Sequence, residues 1–72
     1  MGSVVRIRLK ELLDERGIKQ KDLAIQSGIR ESTISDICRG SRTVMNFEHL
    51  ARIADALEIN DISELIELKS EQ

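Results

Sequence analysis

The 72-residue sequence contains little of what several protein classes require: one cysteine, one histidine, one phenylalanine and no tryptophan, tyrosine or proline. A single cysteine cannot form an internal disulfide, and Cys38 with His49 cannot supply the three or four ligands of a zinc site. A disulfide scaffold and a metal centre are therefore excluded. No apolar run approaches the ~18 residues of a membrane span, and no signal-peptide stretch is present, which predicts a cytoplasmic protein.

Other absences narrow the function further. Phe47 is the only aromatic residue, which argues against the readers of single strands that stack bases on aromatic rings. There is no nucleophile motif and no glycine-rich phosphate loop, so the sequence predicts neither an enzyme nor a cofactor. His49 has no second histidine to join it and is expected on a helix surface.

The net charge of −2 hides a change of sign along the chain. Residues 1–45 carry nine basic and six acidic side chains, a net charge of +3, whereas residues 46–72 carry two basic and seven acidic ones, a net charge of −5. Such asymmetry is typical of a domain with one end facing a polyanion, although ordinary surface charge would also account for it.

The apolar residues that are present have helical spacing. Val5, Leu9, Leu12 and Leu13 recur at i, i+4, i+7 and i+8, which indicates an amphipathic helix. The same reasoning predicts five short helices at about 5–16, 20–26, 30 or 31–39, 47–57 and 62–68, and no strand. The fourth helix is expected to bury six of its residues: Phe47, Leu50, Ala51, Ile53, Ala54 and Leu57.

Capping residues set the ends of these helices. Gly17, Gly28 and Gly40 are expected to end the first three helices, and Asn46 is expected to cap the fourth. Asp61, with Glu64 three residues later, resembles the capping box of a last helix.

Residues 20–37 carry the most information. Two helices that cross closely need a small residue at the crossing, which Ala24 supplies, and a turn residue that tolerates positive φ, which Gly28 supplies. Four residues are expected to fill the wedge between the helices: Leu23, Ile29, Ile34 and Ile37.

With these residues the chain resembles the helix-turn-helix of the phage repressor and Cro family, the xenobiotic-response-element type of small bacterial regulators, over about residues 6–68. The matching features are Gln20, Leu23-Ala24, Gly28-Ile29, Thr33-Ile34-Ser35, Arg39-Gly40 and the 50–57 segment. The resemblance implies an all-α, lambda-repressor-like domain spanning residues 1–72 (core about 5–68), with helices 2 and 3 forming the motif. It implies sequence-specific binding of double-stranded DNA by a transcriptional regulator, a repressor, with the helix at about 31–39 in the major groove.

Carried over position by position, the resemblance assigns base reading to four residues: Arg30, Glu31, Ser32 and Asp36. It assigns phosphate contact to eight: Lys19, Gln20, Lys21, Thr33, Arg39, Arg42, Thr43 and Asn46. Arg6 and Arg8 are weaker candidates. Glu31 can instead complement the helix dipole, Asp36 can be a solvated surface charge, and each basic residue can serve only solubility.

The sequence departs from the family pattern at three pairs of positions, one of which is Glu31 and Asp36, two carboxylates expected in a groove lined by phosphates. Lys19 and Arg30 stand where capping Ser, Thr or Asn are usual, which adds positive charge at two helix starts. Leu13 and Cys38 stand where many relatives place a buried Arg and Glu, so Cys38 is interpreted as a core residue.

Reading an inverted repeat calls for a homodimer, since one short helix in one groove rarely gives tight specific binding. Five apolar residues near the C-terminus are the predicted interface, unless they all pack within the monomer: Ile59, Ile62, Leu65, Ile66 and Leu68. The alternative function is a protein-interaction module on the same fold, similar to an antitoxin or antirepressor.

Overall fold

Four α-helices and a two-stranded sheet make up the part of the chain that the computed structural model describes, residues 2–40 and 45–71. Their order is β1 (Gly2–Ile7), α1 (Leu9–Arg16), α2 (Gln20–Ser27), α3 (Glu31–Arg39), α4 (Phe47–Leu57), one 3₁₀ turn (Ile62–Glu64) and β2 (Ile66–Glu71). The prediction of a mainly helical domain is confirmed, but the prediction of five helices and no strand is wrong. In the described ranges no helix is long and apolar enough to cross a membrane.

The first error lies at the N-terminus, where β1 replaces the predicted start of the first helix. Val4, Val5 and Ile7 are β-branched and pack well on a pleated surface. β1 pairs antiparallel with β2 in a register that joins Gly2 to Glu71 and Ile7 to Ile66, so the two ends of the domain form one sheet.

An ion pair fastens this sheet to α1. Arg6 Nη1 lies 2.7 Å from Glu67 Oε1 across the strands, and Arg6 Nη2 lies 3.1 Å from Glu11 Oε2 on α1. The hydrogen bond from Arg6 lowers the pKa of the Glu67 carboxyl. Arg8 lies 3.8 Å from Glu15, so both weaker phosphate candidates are committed to carboxylates of their own chain.

The second error lies at the C-terminus, where the predicted fifth helix is a single turn followed by β2. Asp61 does cap that turn, because its carboxylate accepts hydrogen bonds from the Ser63 backbone N–H at 3.0 Å and from the Ser63 hydroxyl. These bonds lower the Asp61 pKa. The turn stops because residues 66–69 alternate apolar and polar side chains, the period of a strand.

The core lies between the four helices, and Leu65, just after the 3₁₀ turn, packs into it. The inward positions predicted for the motif are confirmed, since Leu23, Ile29, Ile34 and Ile37 are all buried. The remaining buried apolar residues are Leu9, Leu12, Leu13, Ile53, Leu57, Ile59 and Leu65.

Phe47 was predicted to be buried and is instead 85% exposed. It is the first residue of α4, and burial increases along that helix from half-buried Leu50 to fully buried Ile53. Ala51, one turn after Phe47, is also exposed rather than buried. The helix therefore enters the core only after its first turn.

The five residues predicted for a dimer interface fall into three groups. Ile59 and Leu65 are 8% and 0% exposed inside the monomer's own core, so they cannot line an interface of the folded chain. Ile66 is half-buried against the core. Ile62 and Leu68 remain 52% and 70% exposed.

Helix ends follow the predicted pattern. Gly17, Gly28 and Gly40 end the first three helices in the left-handed conformation, with φ of 66°, 72° and 68°. The end of α4 also has this conformation, but there the residue is Glu58, with φ of 56°. A side chain with a Cβ atom is strained in this region, and a carboxylate at a helix C-terminus opposes the helix dipole.

Replacing Glu58 with glycine should therefore raise the free energy of unfolding by about 1 kcal/mol, because glycine adopts this conformation without a Cβ clash. Urea unfolding followed by circular dichroism measures the change. Glu58→Ala is the matched control, since it removes the charge and keeps the Cβ. Equal gains from both variants would contradict the backbone explanation.

Candidate nucleic-acid interface

A three-residue turn joins α2 to α3. Gly28 donates its backbone N–H to Ala24 O at 3.0 Å, and the Ser27 hydroxyl accepts the Ile29 N–H at 3.3 Å. Ser27 and Ile29 are both buried, so the turn is held from inside as well as by its own backbone. The predicted roles of Gly28 and Ile29 are confirmed.

Arg52 on α4 braces this turn from the other side. Its Nη1 lies 3.4 Å from Gly28 O, and its Nη2 lies 2.9 Å from Glu48 Oε2 one helical turn earlier. Sequence reasoning did not find this contact. The i, i+4 spacing of Glu48 and Arg52 indicates their ion pair, but only the packing of α4 on α2 brings the guanidinium to the turn.

The starts of α2 and α3 differ from the start of α4. Lys19 and Arg30 occupy the N-cap positions of α2 and α3 in extended conformations, and neither side chain caps its helix. Asn46 does cap α4, accepting the Glu48 N–H at 2.7 Å. First-turn N–H groups that no side chain caps are free to meet an anion, and the helix dipole favours negative charge at that end.

Four predicted contact residues meet in one open hollow. Lys19, Gln20 and Lys21 at the start of α2 lie around it with Glu31 from the start of α3. Lys10 on α1 also lines this hollow, and sequence reasoning did not assign it to the site. Lys10 is exposed, and together with Lys19 and Lys21 it lies beside the N-termini of α2 and α3.

The first turn of α3 is open to solvent. Arg30, Glu31 and Ser32 are exposed, whereas Thr33 is half-buried. The opposite side of the helix is fixed, because Ile34 and Ile37 are in the core. The predicted base-reading residues Arg30, Glu31 and Ser32 thus extend from a rigidly held helix.

The other end of α3 has a different electrostatic character. Arg39 forms an ion pair with Asp36 one turn earlier, which joins a predicted phosphate contact to a predicted base reader. Because the charges of Arg39 and Asp36 offset each other, the remaining basic side chains of this face lie at the starts of α2 and α3. Arg42 and Thr43, also predicted to contact phosphate, lie outside the described residues.

Leu13 and Cys38 behave as the sequence indicated. Leu13 is buried, and Cys38 is half-buried and packs against the core. Burial, and then the nearby Asp14 carboxylate, raises the pKa of the Cys38 thiol, which keeps the sulfur protonated and unreactive. His49 is half-buried on α4.

Comparison with known proteins places this architecture in a family. Searches of curated proteins and of solved structures give no match. The family model for the Cro/C1-type HTH DNA-binding domain matches residues 8–71, which span α1 to β2 and include the whole α2–turn–α3 unit. The chain therefore belongs to the family of Cro/C1-type helix-turn-helix DNA-binding domains.

Proposed function

We propose that this protein is a transcriptional repressor that binds a specific double-stranded DNA sequence as a homodimer, with α3 in the major groove. One observation carries the proposal: the start of α3, from its N-cap Arg30 through Glu31 to Ser32, is exposed, while Ile34 and Ile37 anchor the other side of the helix. A helix anchored in this way can present its N-terminal side chains to base edges.

The three exposed side chains suit different bases. The guanidinium of Arg30 can donate two hydrogen bonds to guanine O6 and N7, and the Glu31 carboxylate can accept one from the cytosine amino group. The Ser32 hydroxyl accepts or donates. Asp36 is the fourth candidate, and its ion pair with Arg39 fixes its position on the helix.

Phosphate contacts belong to the group beside the hollow. Lys19, Gln20 and Lys21 stand at the start of α2, where backbone N–H groups and positive side chains act together on an anion. Glu31 also lines that hollow, and its negative charge separates these lysines from the side chains proposed to read bases. Such contacts position the protein, while base contacts specify the sequence.

A homodimer follows from the size of this reading surface. One short helix covers few base pairs, and two copies related by a two-fold axis would read an inverted repeat with half-sites about 34 Å apart. Repression is the mode of regulation that this surface supports, because it requires occupancy of the operator alone.

Selection of bound duplexes from random DNA tests the proposal directly. We expect an enriched inverted repeat, bound with an affinity that falls steeply as the salt concentration rises. Absence of enrichment and absence of binding even at low salt would refute it.

Replacing Lys21 with alanine should weaken binding to all duplexes by a similar factor, because a phosphate contact carries no sequence information. The slope of log K against log salt concentration should become shallower by about 0.9. Lys21→Arg is the control, since it keeps the charge and should keep the slope. A loss confined to one sequence would contradict the phosphate role.

The second candidate function is a protein-interaction module on the same fold. Exposure of Ile25 on α2 and of Phe47 on α4, at 72% and 85%, favours it, since both are large apolar side chains outside α3. This function predicts a co-purifying protein that stays bound after the combined Lys21→Ala and Arg30→Ala substitutions and is lost on Phe47→Ala. The DNA-binding function predicts that the combined substitutions abolish DNA binding and that Phe47→Ala leaves it intact.

A further inference from the structure

One edge of the terminal sheet has unused backbone groups. The Arg8 N–H donates to Leu65 O at 2.7 Å, which extends the strand register by one pair. Hydrogen-bonded and non-hydrogen-bonded pairs alternate along antiparallel strands, so the backbone groups of Glu67 and Lys69 point toward β1. Those of the intervening residues, Ile66, Leu68 and Ser70, point away from β1, and the described sheet has no third strand to receive them.

Apolar side chains accompany this free edge. Leu68 is 70% exposed, and Val5, directly opposite it on β1, is 63% exposed. Directly opposed residues lie on the same face of a sheet, so the two side chains form one exposed apolar pair. Ile66 and Ile7, the next pair on this face, pack against the core.

The sequence of β2 is complementary to itself. If two β2 strands run antiparallel with Leu68 opposite Leu68, then Glu67 of each copy stands opposite Lys69 of the other. Ile66 stands opposite Ser70, and these residues supply the outward backbone groups. Pairs 66–70, 68–68 and 70–66 each exchange two backbone hydrogen bonds in this register, and the Glu67–Lys69 pairs fall at non-hydrogen-bonded positions, where side chains are closest.

The free edge of β1 lacks this complementarity. Pairing β1 with itself about Val5 would place Arg6 opposite Val4, an arrangement without charge compensation. In addition, β1 contributes four residues to a hollow beside Cys38 and Gly40, to which β2 contributes only Lys69. The β2 edge is therefore the better self-pairing edge.

We propose that two copies of this chain pair through β2, antiparallel and centred on Leu68, to form a continuous four-stranded sheet β1–β2–β2–β1. The occupant of the free edge is a second copy of this chain, because the edge matches its own sequence in charge and in hydrogen-bonding pattern. The inference rests on the homodimer of the proposed function and specifies its interface.

Disulfide trapping tests the centre of the interface. In a Cys38→Ser background, Leu68→Cys should give a disulfide-linked dimer in a glutathione redox buffer, since Cα atoms of a hydrogen-bonded pair lie about 5.5 Å apart, within disulfide reach. Ser70→Cys is the matched control. Two copies of residue 70 would be offset by four residues, about 13 Å along the strand, so that variant should remain monomeric under the same conditions.

Charge reversal tests the register. Lys69→Glu places like charges opposite each other twice per dimer and should raise the dissociation constant of the dimer roughly tenfold. Glu67→Lys reverses the other member of each pair, and because it also removes the Arg6–Glu67 ion pair within the monomer, its effect is measured in the mixture with Lys69→Glu. An equimolar mixture of the two variants restores both opposite-charge pairs, so the mixture should form heterodimers in preference to either homodimer in native mass spectrometry.

Two outcomes would overturn the inference: equal cross-linking of the Leu68→Cys and Ser70→Cys variants, or no preference for heterodimers in the mixture. Circular dichroism of each variant confirms that the monomer is folded, and Lys69→Glu supports the comparison because Lys69 has no ion pair in the described chain. All these measurements are made without DNA. If the protein selects an inverted repeat but fails these tests, this interface is rejected and the proposed function stands. If the Leu68→Cys variant cross-links but the protein selects no DNA sequence, the interface stands and the proposed function is rejected.

Discussion

Replacing Leu65 with alanine should lower the free energy of unfolding by about 3 kcal/mol, the typical cost of emptying a fully buried leucine site. Leu65 is 0% exposed, and its carbonyl accepts the Arg8 N–H at 2.7 Å just before β2 begins. The cavity would therefore open where the core meets the sheet. A domain of this length is stable by only ~4–11 kcal/mol, so the loss is a large share of its stability.

Leu68→Ala is the matched control for this change. It makes the same substitution three residues later, at a side chain that is 70% exposed, and should change the stability of the monomer by less than about 0.5 kcal/mol. Urea unfolding of both variants at low protein concentration, where self-association does not contribute, gives the comparison. Similar losses for both variants would contradict the assignment of Leu65 to the monomer core.

Replacing Arg30 with alanine should weaken binding to the selected DNA site by roughly 10- to 100-fold, because a bidentate arginine–guanine contact is worth about 1–3 kcal/mol of discrimination. Arg30 is exposed, it precedes the first residue of α3, and its side chain makes no capping hydrogen bond. The folded state should therefore be little affected. Competition binding with single-base variants of the site should show relaxed specificity at one base pair.

Arg30→Lys separates the two components of this effect. Lysine keeps the positive charge and loses the planar fork, so the salt dependence should stay while specificity at that base pair falls. If Arg30→Ala instead weakened binding to every sequence equally, and Arg30→Lys restored it, Arg30 would be a phosphate contact. The proposed reading of guanine would then be wrong.

The helix-turn-helix could be predicted from the sequence because its contacts are local. Leu23 and Ile37 lie within fifteen residues of each other in the chain, and the small Ala24 and the positive-φ Gly28 each have few alternative roles. The absence of capping side chains at Lys19 and Arg30 was also visible, since capping depends on residue type. Spacing therefore predicted α2, the turn and α3, whereas the candidate base-reading and phosphate residues came from the resemblance to the family.

The contacts that brace the site were not predictable in the same way. Arg52 reaches Gly28 across a separation of 24 residues, and Lys10 joins Lys19 and Lys21 only because α1 and α2 border one hollow. Asp36 and Arg39 could be seen as neighbours on one helix face, but their ion pair changes how the positive charge is distributed. Side-chain partners of this kind depend on the packing of whole helices.

The terminal sheet shows the same limit most clearly. The alternation in residues 66–69 suits a strand, yet an isolated strand of this length is not stable. Its partner β1 is distant in sequence, since Arg6 and Glu67 are 61 positions apart. The helical periodicity that begins at Val5 was outweighed by this non-local pairing.

By itself, the sequence determined the α2–turn–α3 unit, its glycine-capped ends and the residues at the start of α3, because these depend on residue type and on spacing within a few helical turns. Only the tertiary structure decided that the chain ends form a sheet, that Leu65 is in the core while Leu68 is exposed, and that Phe47 lies outside the core. Each of these depends on which distant surfaces meet, since burial is a property of the packed molecule and not of the residue.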